Sequence, residues 1–316
     1  MLASLITKSV YHWAANFKSF NMSENIRIDV PKDKSVGEGV WTTIISPHRG
    51  WLDWRLDQLW RYRDLVSLFV WRDFVSAYKQ TLLGPAWHII QPLLTTLTFT
   101  VIFGRVAKLS TDGVSPFMFY LVGTICWTYF SSNLSKISNT FISNAHLLGK
   151  VYFHRLAIPI SVAVSNLITF GIQLGIFGVC FLFQHFRGGN IHLSGWIFCT
   201  PILLLMLAGY GLGGGIIVSA LTTRYRDLAN LVSFGITLAM YGTPVIYPSS
   251  SVPEKFHWVI RLNPLSPVFE GFRLAFLGVG DVNAAQLAVS FGMMVVVITV
   301  GLMLFTHVER TFMDTV

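Results

Sequence analysis

GWIFCTPILLLMLAGYGLGGGIIVSAL, residues 195–221, contains no Lys, Arg, Asp or Glu. A helix of about 20 apolar residues crosses the roughly 30 Å hydrocarbon core of a bilayer. In that solvent every backbone N–H and C=O must find a partner within the segment, so the run must be helical. The same pattern recurs on both sides of it. From residue 82 to residue 305, long apolar runs alternate with short connections, and the few charged residues sit between the runs. Six spans are expected, at 82–104, 116–134, 156–183, 195–221, 228–247 and 285–305. The chain therefore reads as an all-α integral membrane protein.

Composition agrees. The 316-residue chain is 53% hydrophobic and 12% charged, where soluble domains carry about 25% charged residues. The net charge of +8 could suggest a nucleic-acid partner, but eleven of the 23 Lys and Arg precede residue 82, beside the first span. Basic residues there face the cytoplasm and an anionic leaflet, so no nucleic acid is expected. An even number of spans puts both termini on one side. Seventeen of the 23 Lys and Arg fall on that side and six on the other, which places both termini in the cytoplasm. Residues 1–20 hold Lys8, His12 and Lys18 without a clean apolar core, so the first span is expected to act as the insertion signal. Cys126, Cys180 and Cys199 lie inside apolar runs and read as small buried hydrophobes, with neither metal spacing nor a disulfide framework.

Several segments do not span. Residues 1–57 form a polar arm with Pro31-Lys32-Asp33-Lys34 and a short strand expected at 40–45; residues 307–316 form a cytoplasmic tail. Residues 58–81 interleave Arg, Trp and Tyr with apolar residues, as in a helix lying in the membrane interface. Val66, Val70 and Phe74 make a stripe, while Leu65, Leu68 and Phe69 fall elsewhere. A short seventh span is the alternative, opposed by Arg72 and Asp73 at its middle. Residues 252–278 hold two short apolar stretches broken at Asn263-Pro264. They fit either a re-entrant helix pair between spans five and six or an ordinary external hairpin.

Chemistry for catalysis is absent. Pumps and secondary carriers place titratable groups within their spans, and none is found here at mid-membrane; His88 lies near the start of the first span. No catalytic or metal-ligating constellation is present. Gly149-Lys150 is followed by Val151, so no phosphate-binding loop exists. The chain is expected to bind no cofactor, and energy for uphill transport would come from a partner.

Aromatic residues make up 14% of the chain. They can stack on sugar rings, or form the belt found at any bilayer interface. Trp87, Tyr120, Trp127, Tyr129 and Phe130, with Gln91 as a polar contact, are the candidates to line a path through the membrane. The small residues at 209–215 allow close helix contact or dimerisation. The cytoplasmic connection 139–155, with Asn144, Lys150, Tyr152, Phe153 and Arg155, is either a helix that docks into a partner's groove or a plain loop.

Strings of residues in six blocks then carry a resemblance. They are RDFVSAYKQTLLGPAWHIIQPLL (72–94), FGRVAKLSTDGVSPFMFYLVGTICWTYFSSNLS (103–135), SNAHLLGKVYFHRLAIP (143–159), SALTTRYRDLANLV (219–232), TPVIYPSSSVPEKFHWVIRLNPLSPVFEGFR (243–273) and ERTFMDTV (309–316). In this order they resemble permeases of the type-2 ABC exporter family, in its polysaccharide and O-antigen branch, over residues 49 to the end. The resemblance implies a homodimer in the bacterial inner membrane, working with two ABC ATPase subunits that bind ATP and Mg. It implies export of a lipid-linked polysaccharide; the alternative is a smaller lipid, drug or teichoic-acid-like substrate. It further implies that 58–81, with Tyr62, Arg63 and Arg72, is a gate helix, that 139–155 is the coupling helix, and that Asn263 and Pro264 turn a periplasmic re-entrant pair.

Overall fold

The computed structural model describes residues 60, 62–78, 84–144, 153–187, 194–222 and 227–313, and among them the chain is helical with no strand. The arm 1–57 and its expected strand lie outside the described residues.

Helix α1 is Arg63–Tyr78, and α2 is Trp87–Phe99, continued by a wider π-helical stretch, Thr100–Val106. Helix α3 is Pro116–Ser138 and α4 is the single turn Thr140–Ser143. Next come α5 (Ala157–Phe186), α6 (Thr200–Thr222, entered through a 3-10 turn at Gly195–Cys199) and α7 (Leu228–Gly242). Helices α8 (His257–Leu262) and α9 (Ser266–Leu277) precede the last, α10 (Ala284–Met313).

Four of these stretches are long and apolar enough to cross a bilayer by themselves: Trp87–Val106, Ala157–Phe186, Gly195–Thr222 and Ala284–His307. The other two expected spans are helices that fall short of that measure for different reasons. Helix α3 has the length, 23 residues, and every residue from Met118 to Trp127 is buried. A helix enclosed by protein need not be apolar all round, and α3 carries Thr124, Thr128, Ser131, Asn133 and Ser135. Helix α7 has 15 residues, about 22 Å at 1.5 Å per residue, so it is too short to cross alone.

The core is built around α3. Phe119, Tyr120, Trp127 and Phe130 pack with Phe269, Phe272 and Phe276 of α9 and with Phe170 and Phe177 of α5. Helix α6 lies against α3 and α10 together, and its glycines make both contacts possible. A Cβ at Gly211 would stand 2.7 Å from Cβ of Asn133 on α3; one at Gly213 would stand 3.0 Å from the backbone of Ile298 on α10. Small residues at alternate positions thus let α6 approach two helices at once. Buried polar groups fasten the same contacts. Tyr210 donates to the Ser290 carbonyl at 2.5 Å, Thr222 donates to the Ser138 carbonyl at 3.0 Å, and Asn166 of α5 donates to Asn133 Oδ1 at 2.7 Å.

Helix α1 rests on a second, smaller cluster. Its packed face is Tyr62, Leu65, Val66 and Phe69, set against Ile137, Phe153, Leu156 and Ala157. This is one helical stripe, rotated from the Val66–Val70–Phe74 stripe suggested by the sequence. Arg72, expected to make spanning costly, donates twice to Asp73 Oδ1 at 3.0 and 2.8 Å and lies 4.9 Å over the Phe69 ring.

Candidate functional site

Two helices stand out by what they leave uncovered. Helix α2 buries only Pro92 and Thr96, and neither its π-helical continuation nor α7 buries any residue. On α2, Trp87, Gln91, Leu94, Thr98 and Val101 are exposed and follow one helical face. On α7 the exposed polar residues are Asn230, Ser233, Thr237 and, at the end, Tyr241; their spacing puts them on one face as well. Neither face carries a charge between residues 87 and 104 or between 228 and 242.

The hydroxyls on these faces have a common geometry. Thr95 donates to the Gln91 carbonyl at 3.0 Å and Thr98 to the Leu94 carbonyl at 2.9 Å; Ser233 donates to the Ala229 carbonyl at 3.2 Å and Thr237 to the Ser233 carbonyl at 3.1 Å. Each proton is used within its own helix, which leaves the oxygen lone pairs as acceptors. Such a face offers many weak, equivalent contacts to a hydroxyl-bearing ligand and no single strong one.

The six residues expected to line a path divide. Trp87 and Gln91 are exposed on α2. Tyr120, Trp127, Tyr129 and Phe130 are buried on α3. Tyr120 meets Phe99 at 6.3 Å between ring centroids, Trp127 meets Phe269 at 6.2 Å, and Tyr129 meets Phe170 at 5.3 Å. These four rings hold α3 to α2, α5 and α9 and leave no surface for a passing polymer. The hydroxyl-bearing positions of α2 and α7 were overlooked in the sequence because Thr and Ser are unremarkable in apolar helices. The signal that marks them is their 3–4 spacing on α7.

Of the residues expected to contact an ATPase, Lys150 and Tyr152 lie outside the described residues. Asn144 closes a helical end by donating to the Thr140 carbonyl at 3.0 Å. Phe153 and Arg155 are buried. The Phe153 ring meets Phe69 of α1 at 5.8 Å. Phe153, within the connection 139–155, is thus seated against the expected gate helix. On α1, Tyr62 joins the packed face, while Arg63 is exposed near Trp60 and Asp64.

Asn263 and Pro264 form a joint between three helices. Asn263 Nδ2 donates to the Gly242 carbonyl at 3.0 Å and to Thr243 Oγ1 at 2.9 Å, both at the end of α7, while its Oδ1 accepts the Leu265 N–H. The Pro264 carbonyl accepts Ser290 Oγ of α10 at 2.5 Å. Helix α8 beyond the joint has no buried residue, whereas α9 is almost wholly enclosed.

Within α9 lies a charged pair, Glu270 and Arg273. Arg273 and Glu270 are among the most buried side chains, 1% and 3% exposed. Arg273 donates to Glu270 Oε1 at 3.1 Å, to the Tyr247 carbonyl at 3.2 Å and to the Val245 carbonyl at 2.9 Å, and lies 3.9 Å over the Phe119 ring. Glu270 Oε1 also accepts Ser249 N–H and Oγ–H, the latter at 2.6 Å. The pair therefore clamps the turn after α7 to α9 and α3. The sequence signal was Glu-x-x-Arg in an otherwise apolar helix, a spacing that puts both groups on one face.

A family model described as ABC-2 type transporter matches residues 64–277. The O-antigen export system permease protein RfbA of Klebsiella pneumoniae is 30% identical over 251 residues, which cover 79% of this chain and 94% of that protein. The protein of the same name from Myxococcus xanthus is 27% identical over 221 residues, 69% of this chain and 82% of that one. The inner membrane transport permease YadH of Escherichia coli K12 is 22% identical over 234 residues, 71% and 85% of the two chains.

Proposed function

This chain belongs to the ABC-2 type transporter family, and on that footing we propose that it is the permease subunit of an ATP-driven exporter of lipid-linked polysaccharide, an O-antigen or similar cell-surface glycan, in the bacterial inner membrane. Two copies form the path, and two ABC ATPase subunits bind ATP and Mg and drive it. Both permease termini are cytoplasmic. The names of the Klebsiella and Myxococcus relatives favour the glycan.

The observation that carries this reading is the pair of uncovered, charge-free faces on α2 and α7. A long glycan crosses as an extended chain, so its path must bind each sugar weakly and repeatedly. Hydroxyl oxygens with their protons already used accept from any passing sugar hydroxyl. Trp87 and Gln91 stand at the cytoplasmic end of this surface, where polymer enters. Helix α1 acts as the gate, the connection 139–155 couples it to the ATPase through Phe153, and α8 with α9 forms the periplasmic re-entrant pair.

The test places a bulky ring on each face, in Thr98→Trp and Thr237→Trp, with Leu205→Trp on the exposed side of α6 as control. Surface glycan is quantified in cells that depend on this chain, and ATPase association is measured by co-purification. Surface glycan should fall sharply for the first two, with association intact, and stay normal for the control. Full export with both tryptophans in place removes the basis for the reading.

A further inference from the structure

A cavity of about 370 Å³ opens between α8, α9 and the first turns of α10. It shares no residue with the uncovered faces of α2 and α7. Two features of its wall mark it as built to hold something. Ser266 is 3% exposed and lines the cavity, and its Oγ has no hydrogen-bond partner among the described residues. An unpaired buried hydroxyl costs free energy unless a ligand or water meets it. Glu270 lines the same wall. Its Oε1 is occupied by Ser249 and Arg273, whereas Oε2 accepts no hydrogen bond among the described residues. Gly280 keeps that oxygen open. A Cβ there would stand 3.2 Å from Glu270 Oε2, and the backbone φ of +144° favours glycine.

The rest of the lining selects the ligand. Asp281 adds a second carboxylate, and Arg261 and His257 supply groups that can meet an anion. The opposite wall is apolar. It is formed by Val289 and Met293 of α10, which are exposed and lie on one helical face with the exposed Val296 and Val300. That face runs on from the cavity down the outside of a membrane-crossing helix. Val289 and Met293 stand about 8 and 14 Å along the helix from its first residue, at 1.5 Å per residue. The cavity thus sits at the level where headgroups give way to acyl chains.

We propose that this cavity binds the headgroup of a phospholipid carrying a primary amine. The ammonium donates to Glu270 Oε2 and Asp281, with Ser266 Oγ as a further acceptor. Arg261 takes the phosphate, and an acyl chain lies along Val289, Met293, Val296 and Val300. A glycan would gain nothing from the apolar wall, and a purely anionic lipid would meet two carboxylates. The outer leaflet follows from the orientation proposed above; the site itself does not depend on export. A lipid wedged between α9 and α10 would hold the α9 clamp in place from its membrane side.

The full chain is reconstituted in nanodiscs of equal parts phosphatidylethanolamine, phosphatidylcholine and phosphatidylglycerol, then released into mild detergent for native mass spectrometry. One phosphatidylethanolamine per chain should be retained over phosphatidylcholine by about tenfold, the factor expected of a charge-assisted hydrogen bond. The choline headgroup has the charge but no N–H to donate. Ser266→Ala removes a hydroxyl that bonds nothing among the described residues, and Asp281→Asn changes an exposed rim residue; each should bring the ratio toward parity without lowering the thermal midpoint. Equal retention of the three lipids, preferential retention of phosphatidylglycerol, or unchanged selectivity in both variants overturns the proposal. Because the measurement involves no transport, selective retention in a chain that exports nothing would count against the export reading alone.

Discussion

Replacing Arg273 with Met should damage this protein far more than replacing Glu270 with Gln, although the two residues are partners. The difference follows from what each leaves behind. In Arg273→Met the Glu270 carboxylate stays buried without its counter-charge, which costs about 3–5 kcal/mol. The Tyr247 and Val245 carbonyls also lose their donor, at about 1 kcal/mol each. The sum is about 5–7 kcal/mol. In Glu270→Gln, the amide oxygen still accepts from Ser249, and Arg273 keeps both carbonyls and the Phe119 ring. What is lost is the charge component, about 2 kcal/mol. At about 2–4 °C per kcal/mol for a chain of this order of size, the thermal midpoint should fall by more than 10 °C in the first variant and by less than 8 °C in the second. The assay is the fraction remaining monodisperse by size-exclusion chromatography after heating in detergent. If Gln at 270 is as harmful as Met at 273, the carbonyl contacts of Arg273 contribute nothing and the clamp is a simple ion pair. If both substitutions are silent, there is no clamp.

Two further outcomes follow from the packing. Gly213→Ala would put a Cβ 3.0 Å from the Ile298 backbone, which cannot rotate aside, and should cost about 1–3 kcal/mol; Gly235→Ala on α7 has no atom within 4 Å of the new Cβ and should be neutral, and equal midpoints for the two would refute the close approach of α6 to α10. Phe69→Ala cuts the ring contact with Phe153 and removes an aromatic core side chain worth about 3–5 kcal/mol; it should free α1 to limited proteolysis and lower export while ATPase association persists, and unaltered protease sensitivity would separate α1 from the connection 139–155.

The membrane class was legible because it depends only on composition and run length. The spans at 195–221 and 285–305 needed nothing more, and the structure keeps both as long apolar helices. Helices α3 and α7 show the limit of that signal. Hydropathy reports the solvent around a helix, and α3 has protein around it, so its serines and threonines weaken the pattern without changing the fold. Helix α7 is short because the chain turns at Thr243 and is tied there by Asn263, a long-range contact that no local pattern announces. The break at Asn263-Pro264 was visible as a helix stop. That its polar atoms join α7 and α10 was not.

The aromatic residues show why the proposed path was harder to read than the fold. A sugar-binding surface and a helix-packing surface draw on the same side chains, since Trp, Tyr and Phe give large contact area for either use. Sequence spacing cannot separate the two, because the deciding quantity is which neighbours occupy the opposite side. Helix α3 is surrounded by α2, α5, α6 and α9, so its rings are consumed in packing. Helices α2 and α7 are covered on one side only, and their threonine and serine hydroxyls there are bonded to their own backbone. For a polymer whose units must each be released as readily as they are bound, that is the more suitable surface. A stacked aromatic would hold one sugar firmly, whereas a row of half-satisfied hydroxyls holds every sugar loosely and lets the chain advance.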